Sequence, residues 1–424
     1  KIHGNDFKYI GLDLFEENEE NINEIIPNTS FSNPLKTIYF RYIKRQNPYS
    51  LEAVEELLKK FKDNIHLIKG NSNKLLHKID MTKIDYVFLE YGMAEKTMSC
   101  NNDWGQLKEI IVGTAKGYRI PDLNRSFKSC QFPEYDEKDI PVGPYPDWVI
   151  EEAEEDLDIL AQTLFSHGII VHRPNTKHSH PDNWHYYSPR DCTLVMGNTI
   201  IETPSPILNR QYETWGYRKI FNSLHERGYK WIKAPTPILL DDSFKEDAKG
   251  VPSLNNHEIL FEAANCVRVN DDILFQVSNT GNERGAIWLQ DVLVDKKVHL
   301  CDNLYSYAHL DSTIIPLREG LVMYNASRVN EDNEPELFKS WDKIWIDECY
   351  SAAPRTNLPW GASEWIGMNM LSIDKHLAVV DRKQKQMIKK LEEHHIDVIP
   401  LELRHDRLLA GGFHCVTLDL VRDG

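Results

Sequence analysis

Gln384-Lys385-Gln386-Met387-Ile388-Lys389-Lys390-Leu391-Glu392-Glu393-His394, then Ile396-Asp397-Val398-Ile399-Pro400-Leu401, reads as an amphipathic helix handing the chain to a short strand. A hairpin-like segment with its tip at Asp374-Lys375-His376 comes before it. Working backwards, the same order returns. Trp148–His167 leads to Ile169–His172, Trp215–Arg227 to Tyr229–Ile232, Ala286–Val294 to Val298–Cys301, and Leu337–Trp341 to Ile344–Ile346. Between these pairs lie further hairpin tips at Gly197-Asn198, Asn270-Asp271-Asp272 and Arg318-Glu319-Gly320, all turn-forming residues. The remaining hairpin has to join the C-terminal run Cys415–Val421 to the strand Ile110–Thr114. Five ββαβ units of roughly 45–70 residues, one completed by the two ends of the region, favour a closed ring. An ordinary multilayer α/β sheet is the alternative, since its strands also alternate with helices.

Composition allows such a ring and narrows its task. With 424 residues, 41% of them hydrophobic, the chain can bury at least one large core. A formal net charge of −16 without a Lys/Arg-dense face argues against nucleic acid or a membrane surface as partner. No apolar run approaches the ~18 residues that span a bilayer. No secretory signal is read, although the chain starts at Lys1 without a Met. The seven cysteines are scattered and form no CxxC pair, the pattern of a reduced, cytoplasmic compartment. Seventeen histidines include no HExxH, and no GxGxxG or Walker loop occurs, so neither a catalytic metal nor a nucleotide is expected.

Residues 1–98 read as a separate small α/β (Rossmann-like) domain. Tyr9–Phe15 and Ile65–Ser72 look like strands, Ser50–Phe61 like an amphipathic helix, and Ile84–Glu90 like a third strand. An acid-ended strand, a Gly70-Asn71-Ser72 loop and the strand Asp85-Tyr86-Val87-Phe88 resemble the middle of a class I S-adenosylmethionine-dependent methyltransferase. That family's glycine-rich first strand and loop are absent. The segment therefore reads as a truncated or degenerate domain, or a structural appendage. The second unit, residues 99–424, opens at Trp104-Gly105-Gln106-Leu107-Lys108-Glu109.

A ring directs strand ends toward a common centre, where residues far apart in sequence can meet. Four segments carry polar residues where apolar ones would be expected: Pro189-Arg190-Asp191-Cys192, Glu262-Ala263-Ala264-Asn265-Cys266, Ala308-His309-Leu310-Asp311-Ser312-Thr313, and Leu409-Ala410-Gly411-Gly412-Phe413-His414-Cys415-Val416-Thr417. On a strand, His309 and Asp311 would share one face. A cysteine with a histidine suits covalent catalysis near neutral pH, and paired carboxylates suit a planar cation such as a guanidinium.

Together with Glu364-Trp365-Ile366-Gly367-Met368-Asn369, these segments resemble the amidinotransferases, typified by arginine:glycine amidinotransferase, of the guanidino-group-modifying superfamily. The similarity runs from about Trp104 to the C-terminus. It implies a five-bladed α/β-propeller, in agreement with the ring. It further implies that Cys415 is the nucleophile and His309 the general acid/base, that Asp191 and Asp311 grip the donor guanidinium, and that Arg328 and Ser363 contact substrate. Asn265 stands where the resemblance leads one to expect an aspartate beside the histidine, so His309 is expected to titrate lower than with a charged partner. The implied reaction is transfer of an amidino group from L-arginine to a small-molecule amine through amidino-Cys415, in a biosynthetic pathway and without a cofactor. Acceptor choice is expected to depend on Ala308 and Ser306-Tyr307. A hydrolase on the same scaffold and a non-catalytic binding protein are the rivals, and a homodimer is an expected assembly.

Overall fold

The computed structural model describes residues 9–13, 65–69, 99–132, 135–246, 252–305, 307–351 and 355–423. The chain divides into two compact units, Lys1–Ala94 and Glu95–Gly424. In the first, strands Tyr9–Asp13 and Ile65–Lys69 pair in parallel. The expected helix Ser50–Phe61, the Gly70–Ser72 loop and the strand Ile84–Glu90 lie outside the described residues, as does Ser306.

In the second unit the repeat takes physical form. The final repeat has a hairpin of Leu371–Asp374 and Leu377–Asp381, a helix Lys385–Glu393 and a strand Asp397–Leu401 parallel to the hairpin's second strand. Met387 and Leu391, one turn apart, bury the inner face of that helix. Its end is closed by Ile396 N–H to Leu391 O at 3.0 Å and His395 N–H to Glu392 O at 3.0 Å, with His395 in the left-handed region. The helices Asp147–Ser166 and Arg218–Glu226 end the same way, with Gly168 and Gly228 in the left-handed position. Each such turn delivers the chain into a strand within two residues, which explains the shared period. One repeat departs from expectation. Between Pro335 and Asp342 only a single 3-10 turn, Glu336–Phe338, forms in place of the helix read at Leu337–Trp341.

Five three-stranded sheets result, each with one antiparallel and one parallel pairing. The first is completed by the chain's end: Thr417–Asp423 lies antiparallel to Gln106–Val112, which pairs in parallel with Ile170–His172. The others comprise Thr193–Met196, Thr199–Glu202 and Lys230–Lys233; Cys266–Val269, Asp272–Gln276 and Lys297–Cys301; and Ile314–Arg318, Leu321–Asn325 and Asp342–Ile346. The leading strands are almost wholly buried, while the third strands are largely half-exposed.

No ladder joins one sheet to the next among the described residues; packing does. Five apolar clusters each sit between two neighbouring sheets. Ile111 and Leu418 meet Val195 and Ile200; Leu194 and Ile201 meet Ile273 and Phe275; Val267 and Leu274 meet Val322 and Tyr324. Leu317 and Met323 then meet Ala378 and Val380. The last cluster joins Leu371, Ile373 and Val379 to Leu107 and Ile110, so the fifth sheet packs against the first. This is the α/β-propeller. Segment 99–105 bridges Arg422, Gly197 and Val269 of three successive blades. Nearby, the buried Asp419 carboxylate is ringed by Arg190, Arg268 and Arg422, and Arg268 also pairs with Asp103. No helix among the described residues is long and apolar enough to cross a membrane.

Candidate active site

Every blade contributes to one cavity of about 670 Å³ from the turn ahead of its leading strand, or from the loop beside it. The turn Pro189–Cys192 supplies Asp191, and Glu262 stands just before the turn Ala263–Asn265. His309 and Asp311 precede Ile314, Ser363 caps the turn Glu364–Met368, and Cys415 precedes Thr417. Cys415, His309, Asp191, Asp311, Arg328 and Ser363 all line the cavity. His309 and Asp311 do share a face, but in a turn rather than a strand. Leu310 between them is buried, and its N–H donates to Ala264 O at 3.1 Å.

The Cys415 thiol is 2% exposed and donates to Asp311 Oδ2 at 3.1 Å. Burial, then Asp311 and Asp191, push its pKa well above the ordinary thiol value, so without a ligand it is neutral. Asn369 fixes its backbone: Asn369 Oδ1 accepts from the N–H groups of His414 and Cys415, each at 2.9 Å. The Asn369 amide also donates to Asp311 O at 3.3 Å. The glycines before Cys415 serve close approach rather than the turn itself. A Cβ on Gly412 would lie 2.6 Å from Asn369 Cβ, whereas the left-handed residue here is Ala410. His414 Nδ1 lies 3.1 Å from the same Asp311 oxygen that faces the thiol.

His309 Nε2 lies 2.7 Å from Glu262 Oε2, and Nδ1 lies 3.7 Å from Asp191 Oδ1. Burial opposes its charge, but Asp191, the Glu262 hydrogen bond and Asp311 outweigh it and raise its pKa to about 9. This corrects the reading of Asn265. That side chain donates to Gln276 O and Ser278 Oγ and accepts from Thr280 Oγ1, all fully buried and away from His309. Ser278 Oγ in turn donates to Ala308 O. Asn265 therefore braces the backbone that presents His309, and the charged partner is Glu262, three residues earlier. The segment Glu262-Ala263-Ala264-Asn265 contained that carboxylate; only the turn decides which of its two polar residues faces His309.

Arg210 carried no sequence signal for a site, and Asn369 stood in the Glu364–Asn369 segment of the resemblance without a role assigned to it. Arg210 pairs with Asp191 Oδ2 at 2.9 Å, Glu262 Oε1 at 3.1 Å and Glu213 Oε1 at 3.0 Å, which permits three buried carboxyls in one place. Ligand-type atoms of Asp191, Glu262 and His309 lie within 4.8 Å of one another, but Arg210 already supplies the cation for both carboxylates. Asp191 Oδ1 remains buried without a hydrogen-bond partner, an acceptor available to a cationic ligand. Arg328 Nη1 donates to Thr313 Oγ1 at 2.7 Å and Nη2 to Ser363 Oγ at 2.9 Å, with Tyr305 stacked 3.7 Å from the guanidinium.

The chain is 43% identical over 339 residues to inosamine-phosphate amidinotransferase 1 of Streptomyces glaucescens, covering 77% of this chain and 97% of that protein. It is 33% identical over 342 residues to L-arginine:L-lysine amidinotransferase of Pseudomonas savastanoi pv. phaseolicola, covering 76% and 93%. Among solved structures, the inosamine-phosphate amidinotransferase of Streptomyces griseus superposes with a TM-score of 0.72 at 42% identity, covering 77% of this chain and 97% of that one. No protein-family model matches.

Proposed function

The chain belongs to the amidinotransferase family, and from that premise we propose that it transfers the amidino group of L-arginine to an amine acceptor through a covalent amidino-Cys415. The observation that carries the reading is Asp311 facing the Cys415 thiol, with Asp191, whose Oδ1 accepts no hydrogen bond, lining the same cavity. Two carboxylates there suit a guanidinium, whose charge also offsets the repulsion that keeps the thiol protonated. Donor binding thus lowers the thiol pKa and a proton is released. The thiolate attacks the guanidinium carbon. The bond from that carbon to the ornithine nitrogen breaks as protonated His309 gives its proton to that nitrogen, leaving an S-amidino cation on Cys415. Once ornithine departs, neutral His309 takes a proton from the incoming amine. The new C–N bond forms, the C–S bond breaks, and Cys415 leaves as thiolate. Arg328, beside Ser363, holds the donor carboxylate in this reading.

Intact-mass measurement tests the intermediate. Incubation with L-arginine should add one amidino group and release ornithine, and Cys415→Ala should lose the adduct entirely. Addition of amines should discharge the adduct into guanidino products. Free citrulline with every amine offered, and no guanidino product, would overturn the transferase reading in favour of hydrolysis.

A further inference from the structure

Three arginines line the cavity; Arg210 is paired with Asp191, Glu213 and Glu262, which leaves Arg407 and Arg328, and the proposed donor employs only Arg328 of these two. Neither is in an ion pair with a carboxylate among the described residues; both donate to neutral oxygens. Arg407 Nε donates to Ala362 O at 3.2 Å and Nη1 to Ser351 Oγ at 2.7 Å, while Arg328 donates to the hydroxyls of Ser312, Thr313 and Ser363. The two guanidiniums thus grip adjacent residues, Ala362 and Ser363. Each is stacked on an aromatic ring, Arg407 over Trp360 at 4.4 Å and Arg328 over Tyr305 at 3.7 Å. Asp311 and Asp406 act on Arg328 and Arg407 only without direct pairing, and two oriented guanidiniums that bond no carboxylate in a half-buried cavity are placed to receive an anion.

L-Arginine carries one carboxylate, which Arg328 meets. In a two-step transfer ornithine leaves before the acceptor enters, so the same cavity next receives the acceptor with both arginines free. We propose that Arg407, with Arg328 beside it, forms a subsite for a phosphate monoester on the acceptor, so that the acceptor is a phosphorylated amine. A dianion matches two guanidiniums where a carboxylate matches one. The inosamine-phosphate amidinotransferases among the relatives act on a substrate of that chemistry by name. The inference rests on the amidinotransferase reading above. Its rival is that Arg407 only clamps the backbone at Ala362.

The test uses enzyme preloaded on Cys415 with L-arginine and then desalted. An inosamine phosphate and the same inosamine without phosphate are offered at subsaturating concentration, and guanidino product is followed by mass. Wild type should favour the phosphorylated amine by roughly 30-fold or more, and millimolar inorganic phosphate should slow that reaction. Arg407→Gln should reduce the preference by roughly tenfold, and Arg407→Lys by less, since a point charge replaces a planar fork. Both rates start from the adduct, so any effect on donor chemistry cancels in the ratio. Equal rates for the two amines in wild type, or an unchanged ratio in Arg407→Gln, would overturn the subsite while leaving the donor chemistry intact. Failure of wild type to load with arginine would instead sink the underlying reading. Should Arg407→Gln not fold, the wild-type preference and its sensitivity to phosphate decide alone.

Discussion

At the scale of single residues, the site sets two groups against their ordinary protonation. Cys415 is held neutral by burial and by the two carboxylates, while His309 is held charged up to about 9. A raised histidine pKa contributes stability that is fully present below its ordinary value of about 6.5 and is lost as pH rises through about 9. The same sign governs the donor step, which needs protonated His309 and should fall above about pH 9. Glu262→Gln removes a hydrogen bond and a charge that hold the proton, so the descending limb of the single-turnover pH profile should move to lower pH by roughly one unit or more. Asn265→Ala, which touches only the brace, should leave that limb in place. A shift with Asn265→Ala and none with Glu262→Gln would reverse the assignment of partner.

The recurring element is a turn that ends a blade's lead-in and aims a side chain inward. Its tolerances are narrow at Gly412, where Asn369 packs so closely that a Cβ would clash at 2.6 Å. Gly412→Ala therefore has to displace the amide that holds the Cys415 backbone. Its expected result is a fall in the rate of adduct formation of roughly 100-fold, with the thermal unfolding midpoint lowered by only a few degrees. Rate and midpoint both unchanged would show that the Asn369 clamp does not position the thiol. The contrast with Gly168 and Gly228 is instructive, since those two relieve backbone strain at helix ends and have open space around them.

For the propeller unit as a whole, closure depends on charge as well as on apolar packing. Asp419 is fully buried, and Arg190, Arg422 and Arg268 together hold its carboxyl well below the usual range against the opposing effect of burial. These arginines come from, or just ahead of, the leading strands of three blades. Arg422 also donates to Ser372 O of a fourth, at 2.8 Å. Asp419→Asn leaves three buried guanidiniums short of a counter-charge and should cost about 3–5 kcal/mol in chemical denaturation. A loss under about 1 kcal/mol would mean that water reaches this network.

The sequence by itself determined the modules. Amphipathic helices, the strands after them and hairpin tips such as Gly197-Asn198 are set by neighbours within a few residues, so period and sheet membership could be read from local pattern. Four residues that line the cavity, Asp191, His309, Asp311 and Cys415, were legible too, because polar side chains at the start of apolar strands are out of place unless a shared centre receives them; Arg328 and Ser363 were legible only through the family resemblance. Tertiary structure alone decided the pairings. Which residue of Glu262-Ala263-Ala264-Asn265 faces His309 depends on how a three-residue turn rolls against the next blade, a rotation no local pattern encodes. Arg210 and Arg407, and the role of Asn369, stayed hidden for a related reason. Each acts on groups presented by segments distant in the chain, and only closure of the ring brings those segments within a few ångströms of one another.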